Sequence, residues 1–429
     1  MKLHVCLDGK LTGTLEMTGG RYIFAYTEEW LGTSGAYPLS QSLPLRPTPH
    51  TGKSVANYLW GLLPDNELTL ASWARHFQVS ARNPVALLSH VGEDCAGAVQ
   101  FLREDRLEAW LSDDGKRLEI EWLTPKDVAH RMRHLISDAG AARESIAEGQ
   151  FSLSGAQAKT AYFYDAAEKR WGIPRGRSPT THILKPVSND FDGFAENEHF
   201  CLALARSAGL SAARTEWHSY GGIPTLVVER YDRVQKEGQW YRIHQEDCCQ
   251  ALGISPASKY ENDKGPGFKQ IMALLDSSDD PQADRERLMK SACFMYLIAA
   301  IDAHAKNFSL LYTRGTGRFN MRLSPLYDVA SAWPYPLQIP AQKMKLAMRI
   351  GRHYRLKEIQ PRHFEELAKD CGFPPDAMRA ILQDLALRLP RLATELLRDM
   401  QTSHMAKTIL ADLVERLTTQ CQATCAFRD

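Results

Sequence analysis

The sequence lacks several features that would announce a specialised class. Its nine cysteines are scattered and form no CxxC pair; the nearest neighbours are Cys248-Cys249 and Cys421 to Cys425, with no His or Cys cluster beside them. A structural zinc site is therefore not expected, and the pattern fits reduced cytosolic thiols. The opening MKLHVCLDGKLTG has no apolar core of the kind a secretory signal needs. The longest apolar run, Ala292 to Ile301, is ten residues. That is too short to span a bilayer and reads as a buried helix. Net charge is only +1, which supplies no global attraction to nucleic acid or anionic membrane. One basic stretch, Lys343, Lys345, Arg349, Arg352, Arg355 and Lys357, reads first as a solvated face and second as a phosphate-binding surface. HExxH, GxSxG and GxGxxG motifs are absent, as are repeats and low-complexity tracts. Gly52-Lys53-Ser54 is not a phosphate loop, because position 47, where the Walker pattern needs Gly, is Pro. Asp190 to Gly193 is not a calcium loop, since Ser188 and His199 fall at its first and last ligand positions.

What is present is a chain of 429 residues, 44% hydrophobic and 24% charged, long enough for two or three domains with a large core. Residues 1–125 read as a small α/β subdomain. Lys2 to Leu7 alternates, Asp8-Gly9 offers a hairpin turn, and Leu11 to Leu15 resumes; Arg21 to Tyr26, Ala98 to Leu102 and Leu118 to Trp122 are further strands. Val55 to Leu63 and Pro84 to Val91 read as helices, and Pro125 to Gly149 as a helical linker. Residues 126–243 read as a β-rich lobe. Its strands are Gln150 to Leu153, Thr160 to Tyr164, Thr181 to Leu184 and Thr225 to Glu229, with a helix from Phe194 to Ala208 closed by Gly209. Residues 244–429 read as helical apart from a hairpin at Phe308 to Tyr312 and Phe319 to Leu323, and the last helices should break at Pro374-Pro375 and at Pro390. The fold class is thus α+β: a bilobal, protein-kinase-like core, β-rich lobe before all-helical lobe, behind an N-terminal subdomain.

Chemistry concentrates in Asp302-Ala-His304-Ala-Lys306-Asn307, which follows the buried apolar run. A carboxylate and an amide five residues apart on a tight loop match the kinase catalytic loop, where Asp accepts the substrate hydroxyl proton and Asn holds Mg²⁺. Asp328 follows twenty-one residues later, a hairpin's length, at the position of the second metal carboxylate, although Tyr-Asp-Val stands where Asp-Phe-Gly is usual. Upstream, Ser154-Gly155-Ala156-Gln157-Ala158-Lys159 forms a small-residue turn whose amides can approach phosphate. Lys185 ends a strand, as the kinase lysine does, and Glu196 or Glu198 on the next helix can pair with it. Glu229, Arg230 and Tyr231 end a later strand, at the place of an adenine-binding hinge. Each feature alone is ordinary; their order is what points to a kinase-like site.

Longer blocks resemble the HipA toxins of bacterial toxin–antitoxin pairs. They are Phe151 to Thr160, Val228 to Arg233, His244 to Asp247, Lys259-Tyr260-Glu261, Gly265-Pro266-Gly267 and Asp302 to Phe308, with Leu43-Pro44-Leu45, Gly61 to Asn66 and Gly92 to Ala98 in the N-terminal part. The resemblance implies a bacterial cytoplasmic protein-serine kinase that uses ATP and Mg²⁺ and targets proteins of the aminoacyl-tRNA synthetase class. By motif match Asp302 is the proton acceptor, and Asn307 and Asp328 are the metal ligands. Ser154 to Lys159, Lys185, Glu229, Arg230, Tyr231, His304, Ala305, Lys306, Asn307, Tyr327 and Asp328 line the nucleotide. Ser152 falls at the family's autophosphorylated serine, where about two negative charges would repel the phosphate loop and switch the enzyme off. The implied partner is a HipB-like helix-turn-helix antitoxin, through which the chain joins operator DNA. Ala158 departs from the family pattern, where an acidic residue is common. A catalytically silent repressor subunit and a small-molecule kinase are the alternatives; retention of Asp302, Asn307, Asp328 and Lys185 disfavours the first, and Ser152 the second.

Overall fold

The computed structural model describes residues 1–137, 152–153, 157–187, 193–400 and 404–426. Two compact units share the chain without following its order. The first takes residues 1–186, 218–257 and 309–321, and the second takes 187–217, 258–308 and 322–429.

The first unit opens with an antiparallel sheet in the order His50–Thr51, Arg21–Tyr26, Lys10–Thr18, Lys2–Leu7, Gln100–Leu102. Asp8 and Gly9 both have positive φ, +49° and +72°, as the tight hairpin turn requires. The helix Pro84–Val91 starts where the sequence says it should: Asn83 accepts from the N–H groups of Val85 and Ala86, and Pro84 occupies the first turn. Two further helices, Glu67–Phe77 and Glu104–Ser112, form where no helix is expected from the sequence. In a second sheet the strands Ile223–Glu229, His182–Pro186, Thr160–Asp165, Arg170–Arg175 and Glu119–Trp122 lie in that order. The expected strand over Gln150 to Leu153 is absent at Ser152 and Leu153, and positions 150 and 151 lie outside the described residues.

The segment after residue 243 is not purely helical. His244–Asp247 is a strand, paired antiparallel with Ser309–Arg314 through His244↔Tyr312 and Asp247↔Ser309. Its Glu246 is fully buried. The N–H of Gln41 (2.8 Å) and the Tyr312 phenol (2.6 Å) donate to Oε1, and the Ser40 hydroxyl also favours the charged form. Burial, reinforced by Asp247, outweighs these hydrogen bonds and pushes the carboxyl up from 4.5 to about 7. The folded chain therefore binds this proton more tightly than the unfolded chain. The contribution is fully present below pH 4.5 and is lost as pH rises through 7, about 3 kcal/mol in all. Glu246→Gln should remove the decline, so urea midpoints of variant and parent should diverge in the variant's favour between pH 5 and pH 8. Parallel curves would contradict this origin.

The second unit is built on helices. Phe194–Ser207, Pro281–Leu297, Pro361–Asp370 and His404–Ala426 all pack against Pro375–Asp399. A short hairpin, Lys345–Ile350 with His353–Arg355, accompanies them. The expected break at Pro390 does not occur: the helix runs on for 25 residues with Pro390 inside it. Burial of Leu385, Ala386, Leu389 and Ala393 offsets the roughly 3 kcal/mol that an interior proline costs. Among the described residues no helix is long and apolar enough to cross a membrane.

Candidate active site

The apolar run Ala292 to Ile301 is helical as far as Leu297, then turns. Ala299 adopts φ +51°, and the N–H of Ala300 reaches back to the Met295 carbonyl (2.8 Å). An alanine in this left-handed conformation costs about 1 kcal/mol. It stops the helix and hands the chain to the loop that carries Asp302. That loop is tight: His304 N–H donates to the Asp302 carbonyl (2.8 Å), Asn307 N–H donates to the His304 carbonyl (2.9 Å), and Ala305–Asn307 forms one 3₁₀ turn.

Asn307 joins the two acidic positions. Its Nδ2 donates to the carbonyl oxygen of Asp302 at 2.9 Å and lies 3.5 Å from that of Asp328. The amide nitrogen is thereby committed to backbone, which leaves Oδ1 as the group's acceptor. Asp328 has φ +58°, a strained setting for a residue with a side chain. The chain is pinned on both sides of it. Upstream, Leu326 exchanges backbone hydrogen bonds with Ser211 and Ala213. Downstream, the Asn197 amide donates to the Ser331 carbonyl (2.8 Å) and accepts from its N–H (3.0 Å). The Tyr327 phenol donates to the Lys306 carbonyl (2.7 Å). Asp302 itself is exposed, and its Oδ1 accepts from the Tyr260 phenol at 2.6 Å.

His304 is buried beside this group, its ring edge-on to Tyr260 at 5.1 Å between centroids. Burial lowers its pKa to about 4; Asp302 and Asp328 oppose the shift, and Lys259 and Lys306 add to it. The ring is neutral at physiological pH, and among the described residues its Nδ1 has no hydrogen-bond partner. Ala305, Lys306 and Asn307 are buried as well.

The positions expected at the nucleotide's other end lie in the first unit. Ser154, Gly155 and Ala156 fall outside the described residues. Gln157, Ala158 and Lys159 are half-buried and lead into the strand Thr160–Asp165, where Thr160 pairs with Leu184, next to the buried Lys185. Lys185 in turn pairs with Leu226 on the strand that ends at Glu229. Glu229 is exposed and Tyr231 half-buried. Arg230 is spent on structure: its guanidinium donates to Asp232, to the Thr180 hydroxyl and to the Cys95 carbonyl, and its N–H donates to the Thr181 carbonyl. Glu196 and Glu198 are both buried on the helix Phe194–Ser207.

Ser152 is fully buried. Its hydroxyl donates to the Leu62 carbonyl (2.8 Å), and its N–H donates to the Asp94 carbonyl (3.1 Å). Asp94 is the centre of a buried charge cluster. Its carboxylate accepts from Arg233 Nη2 (2.8 Å), Arg242 Nε (3.2 Å), the Thr180 hydroxyl (2.6 Å) and the Thr180 N–H (3.1 Å). Burial alone would raise this carboxyl, but Arg233, Arg242 and Arg230 together hold it well below the usual range. Residue chemistry in the sequence gives no signal for Asp94 or Tyr260. The signal available for both was position, inside blocks shared with the HipA toxins.

The chain matches the model of the HipA N-terminal domain over residues 3–102 and that of the HipA-like C-terminal domain over residues 151–393. Y4mE of Sinorhizobium fredii, classed by name as a candidate kinase, is 38% identical over 405 residues, 92% of each chain. The serine/threonine-protein kinase toxin HipA of Shewanella oneidensis is 27% identical over 414 residues, covering 92% of this chain and 89% of that one. A solved structure from Shewanella oneidensis MR-1, a complex of HipA, HipB and operator DNA, superposes with a TM-score of 0.83 at 25% identity, covering 99% of this chain and 98% of that one.

Proposed function

Since this chain belongs to the HipA family and carries both of that family's domains, we propose that it is an ATP- and Mg²⁺-dependent protein-serine kinase toxin of the bacterial cytoplasm. Its proposed target is a translation component of the aminoacyl-tRNA synthetase class. A HipB-like helix-turn-helix antitoxin restrains it, and the pair represses through operator DNA. The observation that carries the kinase reading is Asn307, whose amide ties the backbone of Asp302 to that of Asp328.

In this reading the Asp302 carboxylate accepts the proton of the acceptor serine as its oxygen attacks phosphorus. Asn307 Oδ1 and the Asp328 carboxylate would hold Mg²⁺, which supplies charge neutralisation at the transferring phosphates. The donor set fits that ion. Among the described residues no group of three His, Cys, Asp or Glu side chains gathers. One carboxylate and one amide oxygen suffice for Mg²⁺, which keeps water and takes phosphate oxygens. Lys185 and the turn Ser154 to Lys159 would meet the phosphates. Glu229, Tyr231, His304, Ala305, Lys306 and Tyr327 would line the nucleotide, with Arg230 anchoring the hinge rather than touching it.

Ser152 would be the self-modification site. Its seat makes the switch physical. A phosphate on Oγ removes the proton given to Leu62 and sets about two negative charges against carbonyl oxygens, so the modified segment cannot reseat. Incubation of the purified chain with ATP and Mg²⁺ should add one phosphate at Ser152 by mass spectrometry. An unmodified Ser152 in protein that also labels no other chain in a lysate would favour the silent repressor instead.

A further inference from the structure

The exposed Asp302 is not oriented by packing, so something else must decide which oxygen it offers. Among the described residues its carboxylate has one side-chain hydrogen bond, from the Tyr260 phenol to Oδ1 at 2.6 Å. A donor that close to an ionised oxygen makes a strong, directional contact. With Oδ1 occupied, Oδ2 is left for the acceptor hydroxyl. We infer that Tyr260 is a positioning residue for Asp302, and that Arg349 acts on the same carboxylate through Tyr260. The inference rests on the kinase reading above and adds to it how the proton acceptor is aimed.

The turn that presents Tyr260 is built to stay still. The Tyr260 carbonyl accepts from the N–H groups of Asp263 (3.0 Å) and Gly265 (2.9 Å), and Lys264 closes the turn at φ +67°. Only glycine fits at 265: a Cβ there would lie 2.6 Å from the Tyr260 oxygen and 2.2 Å from that of Ser258. The next side chain, Glu261, is clamped from the strand Lys345–Ile350, where Arg349 donates its backbone N–H (2.7 Å) and pairs through Nε (2.9 Å). Edge-on contact with His304 fixes the tyrosine ring from the other side. A path of bonded groups therefore runs Arg349, Glu261, Tyr260, Asp302, within one compact unit.

The test uses the full chain with itself as acceptor. At saturating ATP, Tyr260→Phe should slow self-phosphorylation by about 10- to 100-fold. The ATP concentration for half-maximal rate should stay within about two-fold of wild type, because the nucleotide contacts are untouched. Arg349→Met should cost several-fold alone and nothing further in the Tyr260→Phe background, the signature of a residue acting through another. Circular dichroism should be unchanged for both. Tyr260→Phe running at the rate of an active wild type overturns this inference alone. So do losses that multiply in the double variant. A wild-type chain that transfers no phosphate overturns the kinase reading with it.

Discussion

Asp302→Asn is expected to lower phosphoryl transfer by about 10²–10⁴-fold and to abolish growth arrest when the chain is expressed without the proposed antitoxin. The amide nearly matches the carboxylate in size and can still accept from Tyr260, so the fold and the hydrogen bond at 2.6 Å should persist. In the proposed mechanism, what would disappear is the ability to take a proton from the acceptor serine. Nucleotide affinity should change little, since Asn307 grips the backbone carbonyl of Asp302 and not its side chain. Rates of self-phosphorylation and binding of a fluorescent ATP analogue would separate the two effects. Transfer at the parental rate would remove Asp302 from the chemistry. Persistent growth arrest with transfer lost would shift the toxic activity to binding.

The largest stability effect should come from Asp94→Ala. Removing this carboxylate leaves the guanidinium groups of Arg230 and Arg233, with side chains 2% and 0% exposed, to share the Asp232 carboxylate, and Arg242 loses its carboxylate partner while keeping the Arg177 and Ser178 carbonyls. Breaking one side of a buried ion cluster costs about 3–5 kcal/mol, because the remaining charge stays out of water. Denaturant unfolding should read this loss directly. Adding Arg233→Met should recover part of it, since the stranded charge goes too. A single variant as stable as the parent would mean that water reaches the cluster. The variant should also loosen Ser152, whose N–H is held by the carbonyl of the same residue.

Local features were the legible ones. The hairpin turn at Asp8-Gly9, the Asn83-Pro84 helix start and the Asp302 to Asn307 spacing each lie within six residues and follow from backbone chemistry. The helix Glu104–Ser112 was hidden because Trp110 is the one residue it buries, and Glu67–Phe77 because its buried face is Thr69, Ser72, Trp73 and Ala74. The strand His244–Asp247 is read from the sequence as part of the helical segment, because its four polar side chains do not alternate with apolar ones and find their partners far along the chain, at the Leu39 carbonyl, the Gln41 N–H and the Tyr312 phenol. Pro390 misled for the opposite reason: a strong local rule yielded to tertiary burial. In the site, the link from Tyr260 to Asp302 spans 42 positions, and that from Asp94 to Arg233 spans 139. Nothing in residue spacing encodes contacts at such range.

The seat of Ser152 bears on how this protein can be dissected. The hydroxyl and amide of a residue in the C-terminal family domain are satisfied by carbonyls at positions 62 and 94, in the N-terminal one. A fragment beginning at residue 151 would keep Arg230, Arg233 and Arg242 while discarding the carboxylate at 94 that neutralises them. The shortest autonomous piece must therefore retain the first hundred residues, and an excised transferase half should be recovered, if at all, as an aggregate.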